Sequence, residues 1–203
     1  MIVRAIPYLL VAVILAVAIV PAKAAVEVGQ AAPAIEAVDV HGNAFNLDDH
    51  KGKVVVLEWT NKDCPFVVKH YQPGHMQSLQ QQVRDMGGEW IKILSSAEGK
   101  QGFLTAEEAI AHNQDVGSNA TTMILDPTGV IGKAYDAKTT PHMFVINAEG
   151  NIAYMGAIDS DSSARSEAIE GAENYVMAAV NALNAGEPVA TTSTAPYGCS
   201  VKY

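Results

Sequence analysis

The chain has only two cysteines and few basic residues, and both shortages restrict what it can do. Cys64 and Cys199 are the only cysteines in 203 residues, so the chain contains neither zinc-finger spacing nor a Cys-x-x-Cys pair. Lysine and arginine total 13 against 22 aspartates and glutamates, a formal net charge of −9, and they form no basic cluster. Binding to nucleic acid or to an anionic membrane is therefore not expected.

The first 24 residues have the pattern of a secretory signal peptide. Arg4 is the only charge ahead of an apolar stretch from Leu9 to Val20, and an A-x-A cleavage pattern ends at Ala24. The stretch is shorter than the roughly 20 residues that span a bilayer. We therefore predict cleavage and export to the periplasm, in preference to an uncleaved membrane anchor. Loss of Arg4 and Lys23 with this segment changes the net charge to −11, and no membrane contact is expected afterwards.

The rest of the chain is long enough for one domain with its own core, and it contains no internal repeat. We predict a domain over 25–187 and a flexible tail over 188–203 that carries Cys199. Strand-like segments at 35–40, 54–59, 90–94, 121–125, 143–147 and 152–155 mostly alternate with helical segments at 64–86, 104–116 and 166–185. Pro73 and Gly74 must kink or break the first helix. This order predicts an α/β fold with partly parallel pairing.

Cys64 lies at the point where a strand ends and a helix begins. A thiol on the first turn of a helix faces unpaired backbone N–H groups and the positive end of the helix dipole, and both stabilise the reactive thiolate. Lys62 or Lys69 could lower the thiol pKa further. We therefore expect Cys64 to be an activated, solvent-reachable nucleophile. Thr140-Pro141, ahead of a later strand, is the expected second half of the site.

These motifs together resemble the thioredoxin superfamily: a strand, Trp59, Cys64-Pro65, a helix, and Thr140-Pro141 ahead of a hairpin with an acidic glycine turn. Within it, the chain is similar over 28–185 to exported peroxiredoxin-like redoxins, the alkyl hydroperoxide reductase and thiol-specific antioxidant branch. The resemblance implies a three-layer fold with a central mixed sheet flanked by helices. It also implies that Cys64 is the catalytic nucleophile and that a cis-Pro141 packs beside it.

Two positions depart from the family pattern. Peroxiredoxins have a threonine three residues before the reactive cysteine, where this chain has Asn61, and Thr60 is one residue too early. Val67 occupies the place of the second cysteine of a thioredoxin dithiol, so another group must complete the reaction. The substrate would be a hydroperoxide or a disulfide. The residues expected to shape its site are Thr60, Asn61, Pro65, Thr140 and Pro141.

Cys199 is the candidate for completing the reaction. As a resolving thiol it would attack the oxidised Cys64, and an external thiol reductant would reopen the resulting bridge without any cofactor. The alternative is a permanent disulfide brace that ties the tail to the domain. Pairing within one chain and pairing between two chains are both compatible with the sequence.

A copper-binding chaperone is the alternative from a different class of protein. Copper(I) prefers sulfur ligands and accepts imidazole, so Cys64, His142 and Cys199 could form such a site. The other two histidines near the thiol, His70 and His75, are expected at the surface. A third possibility is a non-catalytic adaptor that keeps the redoxin fold.

Overall fold

The computed structural model describes residues 26–203, and the predicted signal peptide at 1–24 lies outside them. In chain order the elements are β1 (Glu36–Val38), β2 (Ala44–Asn46), β3 (Val55–Trp59), α1 (Pro65–Tyr71), α2 (His75–Asp85), β4 (Glu89–Leu94), α3 (Ala106–Asp115), β5 (Thr122–Leu125), α4 (Val130–Ala134), β6 (Thr139–Thr140), β7 (His142–Ile146), β8 (Ile152–Gly156), α5 (Tyr175–Ala185) and β9 (Cys199–Ser200). Over the described residues, no helix is both long enough and apolar enough to cross a bilayer.

The centre of the fold is a five-stranded mixed sheet in the order β5-β4-β3-β7-β8. Strand β3 is central: it pairs in parallel with β4 and antiparallel with β7. Its residues Val55 to Trp59 are all buried, because both faces of the strand are covered. The predicted α/β fold with a mixed sheet is therefore confirmed.

Alternation along β3 separates two cores. Val56 packs with side chains of α1, α2 and α5, while Val55, Leu57 and Trp59 pack on the opposite face with residues of α4 and the β1–β2 hairpin. Neighbouring side chains of a strand point to opposite faces, so this pattern makes the sheet the middle of three layers. The three-layer arrangement implied by the resemblance is confirmed.

The helix that begins after Cys64 breaks where the sequence predicts. Helix α1 ends at Tyr71, and Gly74 caps α2 with a φ of 80°, a conformation that favours glycine. The predicted continuous helix over 166–185 is wrong in its first half. Ser166–Ile169 is a short 3-10 helix, and α5 begins only after Asn174, whose side chain accepts a hydrogen bond from the Met177 N–H at 2.8 Å.

A buried polar network that the sequence analysis did not identify lies between β3 and the helices. The carboxylate of Glu58, which has no exposed surface, accepts hydrogen bonds from the Tyr71 hydroxyl at 2.9 Å and the Trp90 indole at 2.8 Å. Gln80 donates to the same carboxylate at 3.4 Å. The Lys92 ammonium is also buried, and burial lowers its pKa while Glu58 raises it. Glu58 thus supplies a negative charge near an internal lysine, whose ammonium hydrogen-bonds to Asn113 at 2.7 Å.

The C-terminal segment is docked on the domain, in contrast to the flexible tail that the sequence predicts. Its strand β9 pairs antiparallel with β6, and the backbone of Lys202 forms an isolated parallel β-bridge with that of Ser96. A Cβ atom on either Gly129 or Gly132 would overlap the Tyr203 ring, so the domain keeps these positions open for the tail. We refer to residues 189–203 as the strap. The polar composition of the strap predicts disorder, but its backbone groups form hydrogen bonds with the domain.

Candidate active site

The loop between β3 and α1 holds Cys64 in a fixed position. The Asn61 side chain accepts the Asp63 N–H at 2.9 Å and donates to the Gln101 carbonyl at 3.2 Å, and the Asn61 carbonyl accepts the Cys64 N–H at 3.0 Å. Cys64 is the N-cap of α1, with Pro65 as the first helical residue. The sequence prediction of a thiol at a strand-to-helix junction therefore agrees with the structure.

The Thr140-Pro141 segment lies against Cys64, and its peptide bond is cis, which confirms the predicted isomer. The Sγ atom of Cys64 is 3.0 Å from the Thr140 carbonyl oxygen. Both halves of the site are thus in contact although they are 76 residues apart in the chain. Thr60 is buried at the end of β3, and its N–H donates to the Ile93 carbonyl at 3.0 Å.

The thiol of Cys64 is fully buried, so the expectation of a solvent-reachable group is wrong for this conformation. The reason is the strap. Cys199 pairs with Thr140 in the β6–β9 ladder, and its side chain packs beside Cys64. Gly198, with a φ of 129°, lies so close that a Cβ atom there would overlap the Thr140 carbonyl. Both cysteines are free thiols in this arrangement.

The two thiols have different affinities for a proton. Burial raises the pKa of Cys64, but hydrogen bonds from the Cys199 thiol, the Thr140 hydroxyl and the backbone N–H groups of Cys199 and Val67 outweigh it and bring the pKa below its ordinary value. The Thr140 carbonyl opposes this effect, because it accepts from the neutral thiol. For Cys199, burial and the adjacent Cys64 raise the pKa to about 11. Cys64 is therefore the more acidic thiol of the pair, and on its ionisation the Cys199 S–H donates a hydrogen bond to it.

Replacing Cys199 by alanine is expected to raise the apparent pKa of Cys64. The variant removes an S–H donor to the thiolate, and loss of a donor to the charged form favours the protonated thiol. The midpoint is measured as the pH dependence of the rate at which iodoacetamide alkylates Cys64, followed by mass spectrometry. A midpoint that stays in place or moves to lower pH in Cys199→Ala would contradict the assigned proton arrangement.

Several charged residues near the thiol lie differently from the sequence predictions. Lys69 is buried, and its ammonium donates to the Asp161 carbonyl at 2.7 Å and lies 3.6 Å from an Asp159 oxygen. Lys62 pairs with its neighbour Asp63. His70, predicted at the surface, is fully buried, because its partners come from distant parts of the chain that a local pattern does not reveal.

The three-ligand copper site of the alternative hypothesis is not formed. His142 is buried in β7, where its Nδ1 accepts the Lys138 N–H at 3.3 Å and its ring packs on Phe144. Burial lowers the pKa of His142 to about 4. Within residues 26–203, no three histidine, cysteine, aspartate or glutamate side chains converge as a metal site.

This fold and site define a thioredoxin-like redoxin, and comparison with solved structures agrees. An uncharacterized conserved protein from Geobacillus kaustophilus is 24% identical, covers 87% of this chain and 92% of its own, and has a TM-score of 0.75. A hypothetical protein from Sinorhizobium meliloti is 22% identical, with coverages of 89% and 96% and a TM-score of 0.74. A putative thiol:disulfide interchange protein DsbE from Chlorobium tepidum is 21% identical, with coverages of 77% and 99% and a TM-score of 0.55.

The family is shown by the sequence itself. Residues 28–155 match the AhpC/TSA family model, which is more than half of the chain, and the chain belongs to that family. The matched region contains Cys64 and Pro141, whereas Cys199 and the strap lie beyond it. No curated protein sequence matches the chain.

Proposed function

We propose that the protein is a thiol-disulfide oxidoreductase in which Cys64 is the nucleophile and Cys199 the resolving thiol of the same chain. The observation that carries this proposal is the β6–β9 pairing, in which Cys199 lies opposite Thr140 and its thiol contacts that of Cys64. Membership of the AhpC/TSA family supports redox chemistry at Cys64. The DsbE title of one structural neighbour is consistent with disulfide exchange.

The proposed reaction has three balanced steps. The Cys64 thiolate attacks one sulfur of a substrate disulfide, forming a mixed disulfide and releasing the first substrate thiolate. Cys199, after losing its proton, attacks the Cys64 sulfur, releases the second substrate thiolate and closes a Cys64–Cys199 bridge. The substrate has gained two electrons, and the two cysteines have lost them. An external dithiol reductant then returns both electrons and becomes a disulfide.

A disulfide fits the loop before Cys64 better than a peroxide does. The family position that orients peroxide carries Asn61, and both polar atoms of its amide already bind loop backbone groups, at 2.9 Å and 3.2 Å. A peroxide would therefore have to compete with these contacts for the Asn61 side chain. Peroxide reduction is the second candidate, since a Cys64 sulfenic acid would be resolved by the same attack from Cys199, with release of water.

Access to Cys64 requires that the strap moves. The thiol has no exposed surface while β9 is paired with β6, and Cys199 occupies the edge of Thr140 that an extended substrate would use. We infer that the closed strap protects the reduced thiol and that substrates react in an opened state. Strap closure then delivers Cys199 to the mixed disulfide. A permanent brace is the competing role, and it would not reopen with mild dithiols.

A single-turnover experiment with an aromatic disulfide tests the proposal. One equivalent of 5,5′-dithiobis(2-nitrobenzoate) should release two thiolates from each reduced wild-type chain and leave a Cys64–Cys199 bridge. Cys199→Ser should release one and keep an adduct on Cys64. Cys64→Ser, the control for direct reaction at Cys199, should lose the fast phase. Equal kinetics in wild type and Cys64→Ser would refute catalysis at this site. A parallel sample treated with hydrogen peroxide tests the second candidate, peroxide reduction.

The proposed cellular context is the periplasm. The leader pattern at 1–24 predicts export, and an oxidising compartment supplies both disulfide substrates and an environment in which two thiols can cycle. The proposal requires a dithiol partner that reduces the bridge there. The mass of the mature N terminus in a periplasmic extract tests the location, and retention of residues 1–24 would contradict it.

A further inference from the structure

Tyr197 joins the strap to the domain through a buried polar cluster next to α1. Its hydroxyl donates to Asp159 Oδ1, and His70 Nε2 lies 3.3 Å from the same hydroxyl oxygen. Its ring packs against Phe66 at a centroid distance of 6.0 Å. We call Tyr197, Asp159, His70, His75 and Lys69 the Tyr197 cluster.

The hydrogen bonds of the cluster have one consistent direction. The single Tyr197 proton goes to Asp159, so His70 must donate from Nε2 to the hydroxyl oxygen. The other nitrogen of His70, Nδ1, then accepts from His75 Nδ1 at 2.9 Å. Burial, the neighbouring His75 and Lys69 lower the pKa of His70 to about 3, so its imidazole stays neutral and the direction is maintained. Tyr197 therefore connects the hydrogen bonds of the two histidines to the carboxylate of Asp159.

Asp159 explains why the cluster favours a docked strap. The carboxylate is 2% exposed, and one of its oxygens, Oδ2, has no hydrogen-bond donor but lies 3.6 Å from the Lys69 ammonium. The other oxygen accepts from Tyr197 and from the Asp161 N–H at 3.1 Å. When the strap leaves, this buried charge loses its hydroxyl donor. Leaving a buried carboxylate short of a partner is unfavourable, so the cluster favours the closed state.

The cluster is linked to the reacting thiols by a short, tightly packed segment. Tyr197 is separated from Cys199 only by Gly198, whose backbone lies against the Thr140 carbonyl. Phe66, the ring that contacts Tyr197, is two residues after Cys64 on α1. The anchor and both thiols therefore belong to one contact region.

We propose, on the basis of the function proposed above, that Tyr197 is a positioning residue: it sets the equilibrium between closed and open strap and thereby the effective concentration of Cys199 at Cys64. One equilibrium then controls two measurable properties. Opening exposes Cys64 to reagents, and closing brings Cys199 to an oxidised Cys64. Weakening the anchor must change both properties by the same factor in opposite directions.

Tyr197→Phe is the test, because it removes the hydroxyl and keeps the ring. Loss of a hydrogen bond to a charged group is expected to change the strap equilibrium by about tenfold or more. We expect alkylation of reduced Cys64 by iodoacetamide to accelerate by that factor at constant pH. The equilibrium constant for converting the Cys64–glutathione mixed disulfide into the Cys64–Cys199 bridge, with release of one reduced glutathione, should fall by the same factor, because the strap is displaced in the mixed disulfide. Tyr197→Ala should change both quantities further.

Tyr135→Phe is the matched control. It also deletes one buried tyrosine hydroxyl bond, from Tyr135 to the Pro33 carbonyl at 2.6 Å, but it leaves the strap anchor intact. Its alkylation rate and bridge equilibrium should equal those of wild type, even if its unfolding midpoint drops. Unchanged values in Tyr197→Phe, or a change in only one of the two, would overturn the proposal. Failure of the wild type to turn over a disulfide substrate would instead refute the proposed function, while the rates of Cys64 alkylation in wild type and Tyr197→Phe would still measure the strap equilibrium.

Discussion

Replacement of Gly198 by alanine is expected to accelerate alkylation of Cys64 by roughly a hundredfold and to suppress closure of the Cys64–Cys199 bridge by a similar factor. A Cβ atom at this position would overlap the Thr140 carbonyl, and the φ of 129° is unfavourable for any side chain. Steric overpacking costs about 1–3 kcal/mol and a strained backbone a similar amount, and each 1.4 kcal/mol is tenfold in an equilibrium. The strap can relieve both by leaving the domain.

Gly99→Ala separates the clash from the backbone strain. Gly99 also has a left-handed φ, of 75°, but nothing lies within 4 Å of its added Cβ atom. This control should lose some stability and keep the wild-type rate of Cys64 alkylation. The rates are measured by quenched-flow alkylation and peptide mass spectrometry. If Gly198→Ala alkylates at the wild-type rate, then the strap does not control access to Cys64.

Replacement of Glu58 by alanine is expected to have the largest effect on folding, a loss of about 3–5 kcal/mol in the free energy of unfolding. The variant removes the carboxylate that accepts from Tyr71, Trp90 and Gln80, and it leaves the buried Lys92 without its counter-charge. Removing one of two interacting buried charges is costly because the other stays in the protein interior, even though the Lys92 ammonium keeps its hydrogen bond to Asn113 at 2.7 Å. Equilibrium unfolding in urea, monitored by tryptophan fluorescence and circular dichroism, measures the loss.

Asp48→Ala provides the comparison for Glu58→Ala. Asp48 pairs with Lys51 at 2.9 Å, but both side chains are more than half exposed to solvent. Exposed ion pairs contribute about 0–1 kcal/mol, so this variant should unfold close to the wild-type midpoint. Equal destabilisation by the two substitutions would show that Glu58 is not the required partner of Lys92.

The parts of the site that lie on regular local patterns could be predicted from the sequence. The β-branched run before Trp59 specified a buried central strand, and the strand-to-helix junction placed Cys64 at a helix start. Thr140-Pro141 was recognised because proline before a strand in this order resembles a known superfamily, and the structure brings it against Cys64. These signals depend on residues that are close together in the sequence, so they can be recognised from the sequence alone.

The parts that depend on distant partners could not be predicted. His70 and Lys69 resembled solvent-exposed residues of a helix, yet both are buried because Asp159 and Tyr197 come from segments far along the chain. The strap has the composition of a disordered tail, and it docks because glycines of the domain leave room for it. Tyr197-Gly198-Cys199 was the available signal: an aromatic residue and a glycine directly before a cysteine in an otherwise small, polar segment.

The burial of Cys64 and the lowering of its pKa both involve the strap. The Cys199 thiol lowers the pKa of Cys64 by donating to it, and the surrounding strap simultaneously excludes solvent from that thiolate. A resting site of this kind lowers the pKa of its nucleophile without exposing it to adventitious oxidants. Under the function proposed above, substrate selection would depend on opening or replacing the β6–β9 pairing, and that proposal favours an extended peptide disulfide over a small peroxide.

The most direct test of the account is to oxidise the reduced protein with one equivalent of a disulfide at several protein concentrations. Non-reducing peptide mass spectrometry then identifies the product, and quenched samples give its rate of formation. The account predicts a Cys64–Cys199 bridge in monomeric chains, with a second step whose rate is independent of protein concentration. Cys64 that stays reduced, or a bridge that forms only between chains, would contradict it.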